Sequence, residues 1–135
     1  MTVQLSIAVR NARLDSLETA VGASAVLKIR TGAQPATCAT ADSGTVLATL
    51  SLPADWMAAA SGGSKAKTGT WEDLSADATG TAAHFRLYAS DGTTCHAQGT
   101  VTATGGGGDM TITAVAIQSG QTFAVSSFTL TDGNP

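Results

Sequence analysis

His84, Cys95 and His96 stand within thirteen positions of one another in "HFRLYASDGTTCHAQG" (84–99), a stretch that holds both histidines and one of the two cysteines of the chain. Imidazole and thiolate are zinc ligands, and a cysteine beside a histidine is the raw material of nucleophilic catalysis. Whether these groups can act together depends on which way they face. "AHFRLYA" sets Phe85, Leu87 and Ala89 against His84, Arg86 and Tyr88, and "TCHAQGTVTAT" sets Cys95, Ala97, Gly99 and Val101 against His96 and Gln98. Both segments read as strands with one apolar face. A two-residue Asp91-Gly92 turn would lay Leu87 opposite His96. A three-residue Ser90-Asp91-Gly92 loop with Gly92 left-handed lays Leu87 opposite Cys95, Phe85 opposite Ala97, Arg86 opposite His96 and His84 opposite Gln98. A one-residue slip moves every side chain to the other face, so the pattern selects the three-residue loop. Cys95 is then expected inside, with His84 and His96 outside beside Arg86, Tyr88 and Gln98. Two histidines lack the third and fourth ligand of a stable zinc site, so this face is expected to be solvated or to serve as a polar contact surface.

No other stretch supplies a catalytic pattern. There is no G-x-S-x-G elbow to mark a strained serine. "SGGSKAKT" (61–68) lacks the Gly before and the Ser/Thr after the lysine that a phosphate loop requires, and "GGGGD" (105–109) has no helix start behind it. The expectation is a non-enzymatic protein without cofactor or metal.

The elements that must position these residues are short. "QLSIAVRNARLDSLETAV" (4–21) carries Ile7, Leu14, Leu17 and Val21 at helical spacing, with Gly22 as its stop. "AVLKIRTG" (25–32), "TVLATLSL" (45–52) and "TWEDLS" (70–75) read as strands, with loops at 33–44, 58–69 and 76–82. Four glycines at 105–108 read as a mobile hairpin tip or linker, followed by strands over 109–117 and 122–131. Phe123 and Val125 are out of phase with Phe128 and Leu130, which predicts a bulge near Ser126-Ser127. About seven strands predict a mainly β fold, an antiparallel β-sandwich or jelly-roll-like barrel with one N-terminal α-helix. The helix (1–22) is taken as part of the same domain as the β region (23–135).

The chain of 135 residues is long enough to bury a core without metal or disulfides, but 25 Ala and 21 Thr against 3 Phe, 2 Trp and 1 Tyr make that core depend on few large side chains. Net charge is −3, divided as +2 over 1–68 and −5 over 69–135. This balance argues against general nucleic-acid binding. No apolar run approaches a membrane span and the N-terminus lacks the parts of a signal peptide. Production in a cytoplasm is expected, where Cys38 and Cys95 would more often be free than bridged, although a disulfide between them stays open.

The segments "RNARLDSLETAVGASAVLKIRTGAQPATCATADSGTVLATL", "LPADWMAAASGGSKAKTGTW", "GTAAHFRLYASDGTTCHAQGTV", "GGDMTI" and "SGQTFAVSSFTLTDGN", in order over nearly the whole chain, resemble a family of small virion structural proteins of tailed bacteriophages. The resemblance implies a structural part of the virion, most specifically a capsid cement or decoration protein on the outer shell. Its partners would be the major capsid protein, other virion proteins and further copies of itself in a dimer or trimer, with no nucleic acid and no membrane. It carries over no functional residue. The first contact element to expect is the helix, through Arg10, Arg13 and Leu17. The second is the outer face of the hairpin, through His84, Arg86, Tyr88, His96 and Gln98. The alternatives are a tail, baseplate or fibre-associated adhesin that binds a host receptor or glycan, and a carbohydrate-binding module stacking sugars on Trp56, Trp71 and Tyr88.

Overall fold

The computed structural model describes residues 3–134; residues 1, 2 and 135, the outer ends of the expected domain bounds, lie outside it. Ser6 starts the helix. Its hydroxyl accepts from the amide of Val9 at 3.3 Å, and α1 runs Ile7–Val21. Gly22, with φ 89°, ends it by donating to the Glu18 carbonyl. Leu14 and Val21 are buried and Leu17 packs against the core, but Ile7, on the same stripe, is 56% exposed. Polar ties replace apolar ones over that first half: Asn11 Oδ1 accepts from the amide of Gly63 at 2.8 Å, and Arg10 Nε donates to the Asp132 carbonyl at 2.7 Å.

Eleven short strands follow: β1 (Val26–Arg30), β2 (Val46–Ser51), β3 (Ser64–Ala66), β4 (Glu72–Asp73), β5 (Gly80–Thr81), β6 (His84–Tyr88), β7 (Cys95–Ala103), β8 (Met110–Ile112), β9 (Ala116–Ile117), β10 (Phe123–Ala124) and β11 (Thr129–Thr131). The fold is mainly β with one N-terminal helix. The main sheet has the order β2-β1-β6-β7-β8, and two-stranded ladders β10-β4, β11-β3 and β5-β9 surround it. On one face of the main sheet, Leu27 pairs with Leu50 and Leu87, and Ile29 with Ala48 and Phe85. These buried side chains join Trp56, Trp71, Phe123 and Phe128 in one core. Trp71 lies 6.2 Å from Trp56 and 5.8 Å from Phe128 between ring centroids, and Phe128 meets Phe85 edge-on at 5.6 Å. Both indole N–H groups are satisfied, Trp56 by the Gly22 carbonyl and Trp71 by the Thr68 carbonyl.

Four expectations are corrected. The sheet is not wholly antiparallel, because β7 and β8 run parallel, with Val101 opposite Met110. The tetraglycine makes this possible. Parallel neighbours ordinarily need a crossover of about a dozen residues, but here the return takes only 104–109. Gly105 and Gly107 adopt positive φ, while a Cβ on Gly106 or Gly108 would stand within 2.9 Å of Thr102. The segment is a close-packed return rather than a hairpin tip. The phase change at 125–128 is likewise no bulge. The chain leaves one ladder, β10 on β4, and joins another, β11 on β3. Finally, the loop expected over 58–69 contains β3, whose Lys65 is buried under α1.

Candidate functional site

The hairpin has the expected facing on β6 but another register. Ala89 and Thr94 close a four-residue loop in which the Asp91 carboxylate accepts from the Thr94 hydroxyl and from the amides of Thr93 and Thr94. These bonds hold Asp91 well below the usual carboxylate range. Tyr88 then pairs with Cys95 and Leu87 with Ala97, leaving His96 as the extra residue of a bulge. Arg86 is opposite Gln98 and His84 opposite Thr100. The register differs by two residues from the expected one, so Phe85 and Leu87 still face the core. Cys95 moves to the position paired with Tyr88, and the expectation that it faces the core is corrected.

The polar face itself is not open. His84 and Arg86 are each 1% exposed and Tyr88 is fully buried, because the 31–45 loop folds across them. Their expected role as a contact surface is therefore corrected. The reason lies in the register. Lys28 stands opposite Arg86, and Arg30 opposite His84, so one face gathers four basic side chains and needs an anion. Asp42 supplies it from the loop. One carboxylate oxygen accepts from Arg86 Nη1 and, at 2.8 Å, from the Tyr88 hydroxyl; the other accepts from Arg30 Nη2 at 2.9 Å. Loop carbonyls complete the shell. Arg86 Nη1 donates to Thr40 at 3.1 Å, Nη2 to Thr37 and Cys38 at 3.0 Å each, and Nε to Gln98 Oε1 at 3.1 Å. The Gln98 amide in turn donates to the Pro35 carbonyl at 2.7 Å. At the loop base, the amide of Thr31 donates to the Thr45 carbonyl and the amide of Thr45 to the Thr31 hydroxyl. Gly44, at φ 74°, passes so close that a Cβ there would overlap the Thr31 carbonyl.

Electrostatics follow from this packing. Burial works against the charge on Asp42, but the Tyr88 hydroxyl, Arg86 and Arg30 outweigh it and hold the carboxyl below its ordinary value. Burial, and then Asp42, push the Tyr88 phenol up. His84 is pushed down, first by burial and then by the nearby Arg30 and Arg86, against the pull of the Gly32 carbonyl and Asp42. Its Nδ1 donates to Gly32 at 2.8 Å, while the buried Nε2 has no hydrogen-bond partner among the described residues. The ring is thus held neutral, as a strut for the loop.

The remaining residues separate. His96 is exposed and Gln98 half-buried. Arg10 is engaged with Asp132 and Leu17 with the core, so both belong to the inner side of α1. Arg13 reaches Asp132 at 3.2 Å, with 60% of its side chain exposed. Sequence reasoning missed Asp42, Arg30 and Lys65. The Lys65 ammonium meets Asp15 at 2.7 Å, Glu18 at 2.9 Å and the Ala58 carbonyl at 2.9 Å, which fastens α1 to β3. Asp15 and Glu18 at helical i, i+3 spacing were the legible half of that bond.

Among the described residues, no group of three or more His, Cys, Asp and Glu is arranged to hold a metal, and no helix is long and apolar enough to cross a membrane. Trp56 and Trp71 lie inside the core and offer no face to a sugar. No protein-family model matches the chain, and neither a curated protein nor a solved structure matches it.

Proposed function

We propose that the chain is a structural protein of a tailed-bacteriophage virion, a cement or decoration protein that docks on the outer capsid shell through the exposed start of α1. The observation that carries this reading is the division of the helix. Lys65, Trp56 and Gly63 bind its inner side and C-terminal end to the domain. Val3, Ile7 and Val9, at its start, are 72%, 56% and 46% exposed, and Arg13, ion-paired with Asp132, keeps 60% of its side chain exposed. A helix fastened along its length but apolar and exposed at its start suits a protein that works by burying area on a neighbour. Such a protein stabilises a shell by occupancy, in proportion to the fraction of sites filled. The sequence resemblance points the same way, and a symmetric contact between copies is part of the proposal.

Two measurements test it. Quantitative mass spectrometry of purified virions should give hundreds of copies, near a simple ratio to the major capsid protein; a dozen or fewer would overturn the capsid assignment in favour of the tail. Deleting residues 1–21 is an unsuitable test, because it removes the partners of Lys65. The double variant Ile7→Ser, Val9→Ser should keep the circular dichroism and melting of the parent yet lose binding to shells that lack the protein. Unimpaired binding would remove the helix from the interface.

A further inference from the structure

We propose that Cys38 and Cys95 are an oxidisable pair that closes to an intramolecular disulfide and stitches the 31–45 loop to β7. The two cysteines are 57 positions apart in the chain, yet the fold holds both in place at one spot. The Cys38 carbonyl is fixed by Arg86 Nη2 at 3.0 Å, and Cys95 is fixed by its pairing with Tyr88 on the strand beside Arg86. The Cys95 thiol donates to the Ala97 carbonyl at 3.5 Å and lies close enough to Cys38 for the two thiols to influence each other; both are free and both residues are half-buried. Arg86 on β6 binds the carbonyls of Thr37 and Thr40 and the Asp42 carboxylate, and Gln98 on β7 binds the Pro35 carbonyl, so the loop on either side of Cys38 is anchored over β6 and the strand that carries Cys95. A disulfide between them would tie together two segments that the fold already holds against one another. The inference is independent of any place in a virion.

The chemistry is thiol–disulfide exchange with a small disulfide such as oxidised glutathione. The Cys38 thiolate attacks one glutathione sulfur, the glutathione S–S bond breaks, and one glutathione thiolate leaves. The Cys95 thiol gives its proton to solvent, and its sulfur displaces the second glutathione from Cys38. One S–S bond forms in the protein, two thiol protons are released, and two electrons reside on two molecules of reduced glutathione. Burial, and then the neighbouring Cys38, push the Cys95 thiol up to about 11. The closing step is therefore slow at neutral pH and quickens as pH rises. A reducing cytoplasm would leave the loop held by its hydrogen bonds and ion pairs, whereas an oxidising medium would add the covalent stitch.

The test uses the full chain, freed of reductant and incubated with oxidised glutathione at pH 8.5. Intact mass after denaturing alkylation should fall by about 2 Da with no thiol left to alkylate, and peptide mapping should recover a Cys38–Cys95 link in the monomer. Thermolysin should then cut within 33–44 about tenfold more slowly than in the reduced protein, and Cys38→Ser should abolish that difference. Two alkylated thiols, stable glutathione adducts on both cysteines, or a disulfide-linked dimer would each overturn the proposal.

Discussion

Replacing Arg86 by Met tests whether the guanidinium, rather than the sheet alone, holds the 31–45 loop. The side chain is 1% exposed, and its five acceptors are Gln98 Oε1, Asp42 and the carbonyls of Thr37, Cys38 and Thr40. Hydrogen bonds to a charged group contribute about 1.5–3 kcal/mol each. Five of them summed would reach the whole stability of a domain, about 5–15 kcal/mol, so the sum cannot be the cost. The loop itself sets the limit. Once Arg86 is gone the loop can lift, and its carbonyls and Asp42, whose side chain is already 38% exposed, return to water. What is lost is then the clamp plus the buried contact of the loop, about 3–4 kcal/mol, near the lower end of the values for breaking a buried ion pair. For a chain of this length that corresponds to a melting temperature lower by about 10–15 °C.

Guanidinium unfolding followed by the fluorescence of the two buried tryptophans measures the loss, and limited proteolysis at 33–44 shows where it occurs. Asp42→Asn keeps the shape of the anion and removes its charge. A double-mutant cycle between the two positions should show a coupling of about 1–3 kcal/mol. A change in stability below about 1 kcal/mol, together with an uncut loop, would refute the clamp.

Acid should act on the same site. His84 has a depressed pKa in the fold, so its contribution is complete above its ordinary value of 6.5 and is lost as pH falls from there toward the folded value, at no more than about 1.4 kcal/mol per pH unit. Asp42, held below its ordinary 3.8, adds a second loss at lower pH. Denaturation midpoints at pH 7.5 and pH 5 should differ for the parent and converge for His84→Gln; an equal pH dependence in both would exclude the histidine. Gly108→Ala places a methyl 2.9 Å from the side chain and amide of Thr102 and should cost about 1–3 kcal/mol in chemical denaturation. A neutral result would mean the β7–β8 return is slack. Trp71→Ala removes the ring that joins Trp56 to Phe128 and should cost about 3–5 kcal/mol by thermal melting. A loss under about 1 kcal/mol would show that the aromatic row is not the centre of the core.

The inner face of the sheet was legible because its signal is alternation. Leu27, Ile29, Phe85 and Leu87 occupy the core face that their spacing assigns, and that assignment survives a register error of two residues because face depends only on parity. The helix was legible from Leu14, Leu17 and Val21 for a similar reason, and its start was blurred because the cap is a single Ser6 hydroxyl. The errors fall where one pattern has two physical causes. A strand face of His84, Arg86 and Tyr88 alternates in the same way whether water or a polar loop covers it. Small polar loop residues such as Thr37, Cys38 and Thr40 contribute through their carbonyls, which every residue carries and no sequence pattern marks.

The opening cluster shows how the distinction could be made earlier. His84, Cys95 and His96 are near in sequence, yet the bulge turns His96 out to solvent, while Cys95 finds its neighbour in Cys38, on a loop far away along the chain. Charge counted by face is the stronger signal. With β1 and β6 paired, Lys28, Arg30, His84 and Arg86 share one side, and the two guanidiniums buried there, those of Arg30 and Arg86, need an anion. The 33–44 loop offers one acidic residue, Asp42. Once the strands are paired, the unbalanced charge of that face singles out Asp42 as its counter-ion, a signal carried by charge rather than by any motif.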